Sequence, residues 1–158
     1  MNTIKSVLIA NRGEIAIRIS KTLNEMGIEA YGIYSKDDRL STHLSYCSKV
    51  FELSGIGPSA YLNMDEILSI TKNNKIGAIH PGYGFLSENQ SFAAACSENQ
   101  IVFIGPNEKT LKTFGDKEKA KKLAQKLDLP TCLSVGPIEK KSDLLSFFKK
   151  IKKNKIIL

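Results

Sequence analysis

The sequence predicts an α/β fold built on a parallel sheet, and three observations carry that expectation. Short runs such as Ser6-Val7-Leu8-Ile9-Ala10 are apolar along most of their length rather than alternating, as in strands covered on both faces. Between the runs lie stretches whose apolar residues recur at helical spacing. The alternation of the two patterns continues from residue 6 to about residue 104, the order expected of a parallel sheet with crossover helices.

The elements follow in turn. Ser6 to Ala10 reads as the first strand. Ile15, Ile19, Leu23 and Met26 then mark a helix, with Gly27 placed to cap its C-terminal end. Ala30 to Tyr34 reads as a second strand and Lys49 to Leu53 as a third. Ile67, Leu68 and Thr71 lie on a second helix. Ile76 to His80 is the fourth strand, and Pro81, which cannot donate to a ladder, ends it. Ser87 to Glu98 reads as a helix, with Ser87 and Gln90 at capping-box spacing. Ile101 to Ile104 is the fifth strand, closed by Gly105-Pro106. Beyond residue 106 the pattern changes. A helix is expected from about Asp116, as N-cap, to Leu127. Thr131 to Val135 is a weak strand candidate, Leu144, Leu145, Phe148 and Ile151 mark a further helix, and Lys155 to Leu158 reads as a strand at which the chain stops. Residues 107–158 are therefore expected to open a second domain that is cut off.

Composition narrows the class. With 158 residues, 42% apolar and 25% charged, the chain is of globular type. No apolar run approaches the roughly 20 residues of a membrane span, and the first strand starts too early to leave room for a leader peptide. Cys47, Cys96 and Cys132 are far apart, without CxxC spacing. Buried thiols in a reducing, cytoplasmic compartment are expected. The net charge of +7 lies entirely in the last third. Residues 1–107 carry 9 Lys or Arg and 10 acids, whereas residues 108–158 carry 14 Lys, no Arg and 6 acids. Nucleic-acid surfaces combine arginine with exposed aromatics. Lysine alone reads as solvated helix faces, so no nucleic-acid partner is expected.

In parallel sheets ligands meet the carboxyl ends of the strands, and two such ends are rich in functional residue types. After the first strand comes Asn11-Arg12-Gly13-Glu14. A lone Gly13 without GxGxxG argues against a dinucleotide site. After the fourth strand comes HPGYGFLSEN, residues 80–89. There Gly82 and Gly84 permit positive φ and close approach of another molecule, and they flank and present Tyr83. A tight turn with a core tyrosine is the competing reading. Arg18 reads as a surface or interface residue. Lys117, in the first turn of its helix and on the line of Ala120 and Ala124, suits a phosphate as a point charge, although a snorkelling lysine is the commoner explanation. His43 and His80 lack partners at metal spacing, so no metal site is expected.

Taken in order, LIANRGEIAIRI, SYCSKVFEL, SAYLN, AIHPGYGFLSEN, VFIGP and FGDKEKAK resemble the biotin carboxylase family. This is the ATP-dependent module of acetyl-CoA, propionyl-CoA, methylcrotonyl-CoA and pyruvate carboxylases. The resemblance spans nearly the whole chain. It implies a Rossmann-like, pre-ATP-grasp domain over residues 1–106, then a linker helix and the incomplete start of an ATP-grasp domain over 107–158. It also implies a reaction in which ATP, with Mg2+, and bicarbonate form carboxyphosphate, and CO2 passes to biotin on a carrier. By the same resemblance the loop carrying His80, Tyr83, Gly84, Phe85 and Glu88 meets the biotin end of the site. Lys117 matches a lysine on the ATP phosphates, and Arg18 and Lys21 lie on a helix similar to the family's dimer surface. The partners implied are a biotin carboxyl carrier domain, a carboxyltransferase, and either a second copy or the remainder of the carboxylase. No catalytic residue falls within these 158 positions, so the chain alone is expected to be inactive and to bind ATP weakly. The alternatives are a non-catalytic dimerisation module and one half of a split enzyme. Two stretches depart from the family pattern: Tyr46-Cys47-Ser48-Lys49 stands where an acidic segment is usual, and LPTCLSVGP replaces the usual turn.

Overall fold

Val7, Leu8, Ile9, Ile33, Ala78 and Ile79 are fully buried, which requires cover on both faces of the sheet they form. The computed structural model, which describes residues 3–132, 138 and 140–150, supplies it. Five parallel strands, β1 (Ser6–Ile9), β2 (Glu29–Tyr34), β3 (Lys49–Glu52), β4 (Ala78–His80) and β5 (Val102–Phe103), lie in the order β3-β2-β1-β4-β5. The register sets Val7 beside Ala30 and Ala78, and Ile9 beside Gly32 and His80.

Alternate residues of β1 face opposite layers. Val7 and Ile9 pack with Ala16, Ile19 and Leu23 of helix α1 (Gly13–Glu25). Leu8 and Ile79 pack with Ile67 and Leu68 of α2 (Met64–Asn73) and with Phe92 and Cys96 of α3 (Gln90–Glu98). Helix α1 thus covers one face and α2 with α3 the other. Gly27, at φ +69°, ends α1 as expected: its N–H bonds Asn24 O, and the N–H of Ile28 bonds Leu23 O.

Several expectations are corrected. Helix α1 stops at Glu25, so Met26 leaves the apolar stripe and is exposed. The cap of α3 is Asn89, whose side chain accepts from Phe92 N, and Ser87 lies in the preceding loop. A helix absent from the sequence reading, α4 (Glu108–Phe114), is capped by Asn107, which accepts from Thr110 N. Short 3-10 turns occupy Lys36–Asp38, Thr42–Tyr46 and Pro58–Leu62. Of the thiols, all free, only Cys96 is buried; Cys47 is half-buried and Cys132 exposed.

The chain forms two compact units, Met1–Gly115 and Asp116–Leu158. The first holds the sheet and α1 to α4. The second contains α5 (Lys117–Lys126) and α6 (Lys141–Lys150). Asp116 caps α5 as expected, accepting from the N–H groups of Glu118 and Lys119. Thr131 and Cys132 are not in a strand. The rest of that strand candidate, residues 133–135, and the strand expected at 155–158 lie outside the described residues. No described helix is long and apolar enough to cross a membrane.

Candidate functional site

The strand order reverses at β1. One crossover leads from β1 to β2 on one side, and β4 lies on the other. Such a switch point splays the two adjoining loops apart at the carboxyl end of the sheet and opens a crevice between them. The loops concerned are Asn11–Gly13 after β1 and Pro81–Asn89 after β4, the two rich strand ends of the sequence. Their strands stay paired to the last residue, with Ala10 N bonded to His80 O at 2.9 Å.

Asn11 joins the loops. It is 3% exposed, and its Nδ2 donates to Pro81 O at 2.7 Å and to Tyr83 O at 2.8 Å. Its Oδ1 accepts from Arg12 N at 2.9 Å. The molecule that approaches Gly82 closely is therefore this chain's own asparagine: a Cβ on Gly82 would lie 2.6 Å from Asn11 Nδ2. Gly84 differs. Its φ is +63°, but no atom lies within 4 Å of where a Cβ would stand, so the space above it is open.

Tyr83 is 58% exposed, which disfavours the core-tyrosine reading. Its hydroxyl donates to Glu14 in the first turn of α1, and that bond raises its pKa above the ordinary value. His80 is partly buried and accepts the Gly82 N–H on Nδ1 at 3.0 Å. The proton of the neutral ring therefore sits on Nε2. Burial lowers the His80 pKa below its ordinary value, which favours that neutral form.

Phe85 holds a positive φ of 39°, uncommon for a side chain of its size. Its ring stacks on Tyr61 with centroids 5.2 Å apart, and the Arg12 guanidinium lies over the same Tyr61 ring at 5.6 Å. Arg12 Nη1 also pairs with Asp38 Oδ2 at 2.9 Å. Asp38 accepts further bonds from Tyr61 Oη at 2.7 Å, Ser41 Oγ at 3.1 Å and Ser35 Oγ at 3.3 Å. Burial pushes the Asp38 carboxyl up, yet the bonds from Tyr61, Arg12 and Ser41 outweigh it and hold the group below the usual carboxylate range. The Tyr61 hydroxyl is pushed up to about 12, first by burial and then by Asp38. The network ties the segments after β1, β2 and β3 to the loop after β4.

Of the sequence-derived candidates, His80, Tyr83, Gly84 and Phe85 gather on this edge. Glu88 is exposed and lines a separate recess of about 410 Å³ with Ser87, Pro106, Thr110, Leu111 and Phe114. Arg18 and Lys21 are exposed on α1, Lys21 Nζ lying 5.2 Å from the Tyr46 ring. Lys117 is exposed rather than leaning toward a packed side, and Lys119, also exposed, is the lysine paired with Asp116. Asp38 and Tyr61 were not singled out in the sequence, and Asn11 was named only as part of the rich end after the first strand. Each makes at least one site contact across 23 residues or more, beyond any local spacing. Among the described residues no group of three or more His, Cys, Asp or Glu could hold a metal.

Comparison with known proteins supplies the family. The biotin carboxylase N-terminal domain matches residues 3–111. Pyruvate carboxylase of Staphylococcus aureus is 46% identical over 142 residues, and that of Bacillus subtilis 48% over 141. These matches cover 88% and 87% of this chain but 12% of each relative. Among solved structures, the biotin carboxylase domain of a single-chain bacterial carboxylase superposes with a TM-score of 0.89 at 39% identity, covering 92% of this chain and 34% of that one. The biotin carboxylase domain dimer of Hydrogenobacter thermophilus 2-oxoglutarate carboxylase, in complex with MgADP, ADP and bicarbonate, gives a TM-score of 0.91 at 34% identity, over 97% of this chain and 34% of that one. The chain spans about an eighth of the curated relatives it matches and corresponds to the N-terminal portion of their biotin carboxylase part. It belongs to the biotin carboxylase N-terminal domain family.

Proposed function

We propose that this chain supplies the N-terminal part of a biotin carboxylase, an ATP-dependent ligase that carboxylates biotin on a carrier domain for a carboxyltransferase acting on an acyl-CoA or pyruvate. The carrying observation is the switch-point edge, where Tyr83 is exposed and the space above Gly84 is open. A planar ureido ring fits such a surface: Tyr83 lines it and the Gly84 backbone approaches it. Biotin, when bound, supplies the nucleophilic nitrogen that accepts CO2. His80 keeps the Gly82 N–H engaged, Phe85 anchors the loop on Tyr61, and Glu88 borders the same loop at its far end.

Lys117 is the residue for the phosphates of Mg-ATP. It is exposed and makes no ion pair with another described residue, so its charge is available to a ligand. Residues 1–106 act as the pre-ATP-grasp domain and residues 107–158 as the linker helix and the opening of the ATP-grasp domain. One lysine does not make a nucleotide site, and catalysis by clamping and orientation needs the whole constellation. This chain by itself is therefore inactive. The exposed Arg18 and Lys21 face serves association, with a second copy or with the rest of the carboxylase, in the cytoplasm.

The test is a chimera in which residues 3–150 of this chain replace the matching stretch of the S. aureus pyruvate carboxylase. It is expected to cleave ATP in a bicarbonate- and biotin-dependent manner, while the 158-residue chain alone shows no turnover. Tyr83→Ala in the chimera is expected to raise the biotin KM about tenfold, the equivalent of roughly 1.4 kcal/mol of binding. An unchanged biotin KM would overturn the role of the loop, and turnover by the chain alone would overturn its inactivity.

A further inference from the structure

The loop after β4 has an unusual backbone. Gly82, Gly84 and Phe85 have φ of +67°, +63° and +39°, so three of four consecutive residues lie in left-handed or neighbouring space. Glycine is conformationally permissive in both directions, and a chain of this kind does not select one conformation by itself. The backbone–backbone hydrogen bonds made within the loop come at its end, Ser87 N to Gly84 O at 2.9 Å and Asn89 N to Leu86 O at 3.1 Å, and near its start only the Gly82 N–H is held locally, by His80 Nδ1 at 3.0 Å. At its start, the Pro81 and Tyr83 carbonyls are both held from outside, by one side chain.

We propose that Asn11 is a positioning residue for biotin: its carboxamide clamps the Pro81 and Tyr83 carbonyls and so fixes the backbone that Tyr83 and Gly84 offer to the ureido ring. The inference rests on the biotin reading of this loop. Its chemistry is specific to asparagine. The site asks for two donors toward the loop and one acceptor toward Arg12 N, and a carboxamide has them on one planar group. Aspartate keeps the acceptor but turns oxygen lone pairs toward two carbonyl oxygens. Serine has a single donor. The reversed amide would set its oxygen against both carbonyls and its NH2 against the Arg12 N–H, so the network itself assigns the orientation. The close fit runs both ways, because Gly82 has no room for a Cβ while Asn11 is in place.

Asn11 is itself rigid. It follows a strand buried along its length, it is 3% exposed, and the Ala10–His80 backbone bond holds the two strand ends together. The clamp therefore transmits the register of the central strand pair to the loop. It touches no ligand atom in this arrangement; it acts through Tyr83 and Gly84.

Three measurements test the clamp. In the 158-residue chain, Asn11→Ala and Asn11→Asp are expected to speed amide exchange at Gly82 and Ser87 about tenfold or more, as loss of one buried and one part-buried hydrogen bond implies, with Leu8 and Ile79 amides unchanged. In the chimera, Asn11→Ala is expected to raise the biotin KM about tenfold while the ATP KM stays as it was, a split that general loosening of the fold would not produce. Gly82→Ala is expected to be less destabilising in the Asn11→Ala background than in the wild type, since Nδ2, the nearest clashing atom, and Cγ are gone, although Cβ at 3.0 Å and the positive φ remain. Should Asn11→Asp fail to fold, Asn11→Ala and the double mutant still decide. Unchanged exchange at Gly82 and Ser87, or biotin and ATP KM rising together, would overturn the positioning role. If Tyr83→Ala leaves the biotin KM untouched while the exchange effect is present, the ligand reading fails and the clamp stands as structure alone.

Discussion

The Arg12 guanidinium and the Asp38 carboxylate meet at 2.9 Å, and both also touch Tyr61, Arg12 across its ring face and Asp38 through its hydroxyl. One phenol thus closes a three-residue circuit whose members come from the segments after β1, β2 and β3. Because Tyr61 also stacks on Phe85, the circuit is the platform under the loop after β4.

Removing the acceptor of that circuit is expected to cost more than removing one donor. Asp38→Ala leaves the Tyr61 hydroxyl and Arg12 without their shared partner, and a loss of about 2–3 kcal/mol is expected, less than for a fully buried pair because Arg12 is partly solvated. Tyr61→Phe keeps the stacking but loses two bonds, the one it donates to Asp38 and the one it accepts from the buried Ser35 N–H, for about 1–2 kcal/mol. Urea unfolding of both variants checks the order. Equal values, or a loss under about 0.5 kcal/mol for Asp38→Ala, would show that water replaces the circuit without penalty.

Stability is expected to fall as pH drops below 6.5. Burial lowers the folded pKa of His80 from its ordinary 6.5, so between the two values the unfolded chain binds more protons than the folded one. Stability then rises with pH across that window and is fully present above it. The depressed Asp38 works in a separate range: its contribution is present above the ordinary 3.8 and is lost as pH falls below it. Protonation of Nδ1 also removes the acceptor for Gly82 N–H. Urea midpoints measured from about pH 8 downward, with His80→Gln as control, check this. A wild-type profile no steeper than the control would rule out His80 as the source.

Lys117→Ala is expected to leave stability within about 0.5 kcal/mol, as for other exposed positions without partners. A chimera carrying the substitution should need several-fold more ATP. The wild-type chain alone should bind Mg-ATP no better than roughly millimolar, since one charge-assisted contact supplies only about 1.5–3 kcal/mol of the roughly 8 kcal/mol that micromolar affinity demands. Titration calorimetry reads the affinity. A low-micromolar dissociation constant would show that the site is more complete than proposed.

The N-cap of α3 makes a local test. Asn89→Ala removes the acceptor for Phe92 N and is expected to cost about 1 kcal/mol. Ser87→Ala, at the position that the sequence pattern offers as the cap, should cost almost nothing. Thermal melting of the pair separates them, and the reverse order would move the start of α3 back into the loop.

Much of this architecture can be read in the sequence because it is local. The apolar run Ser6 to Ile9, the helical spacing of Ile15, Ile19 and Leu23, and the Pro81 stop each depend on neighbours a few residues away. HPGYGFLSEN was legible as a candidate loop that presents Tyr83 for the same reason: its glycines and tyrosine are adjacent. The clamp and the circuit were not. Asn11 meets Pro81 across 70 positions, and Asp38 meets Arg12 across 26, and only the strand order brings them together. Helix α4 was missed for a different reason: its seven residues are too few to show a clear period, although Asn107 after a proline was the available signal. Met26 was misassigned because the 3.6-residue period continues arithmetically past Glu25, where the helix ends.

The placement of β1 between β2 and β4 also has a consequence for the order of events when the chain folds. Asn11 is made early, but the carbonyls it clamps belong to residues 81 and 83, so β4 must pair with β1 before the loop has its partner. The β1–β2 pair closes over far fewer residues, and loop-closure entropy favours it first. On a ribosome, the first strand, its helix and the second strand have their partners well before the fourth strand emerges. The loop after β4 and the end of β5 are then the last parts of the sheet's carboxyl rim to take shape. A nascent chain halted before residue 80 would carry a central strand with one flank open, a ready template for the wrong neighbour.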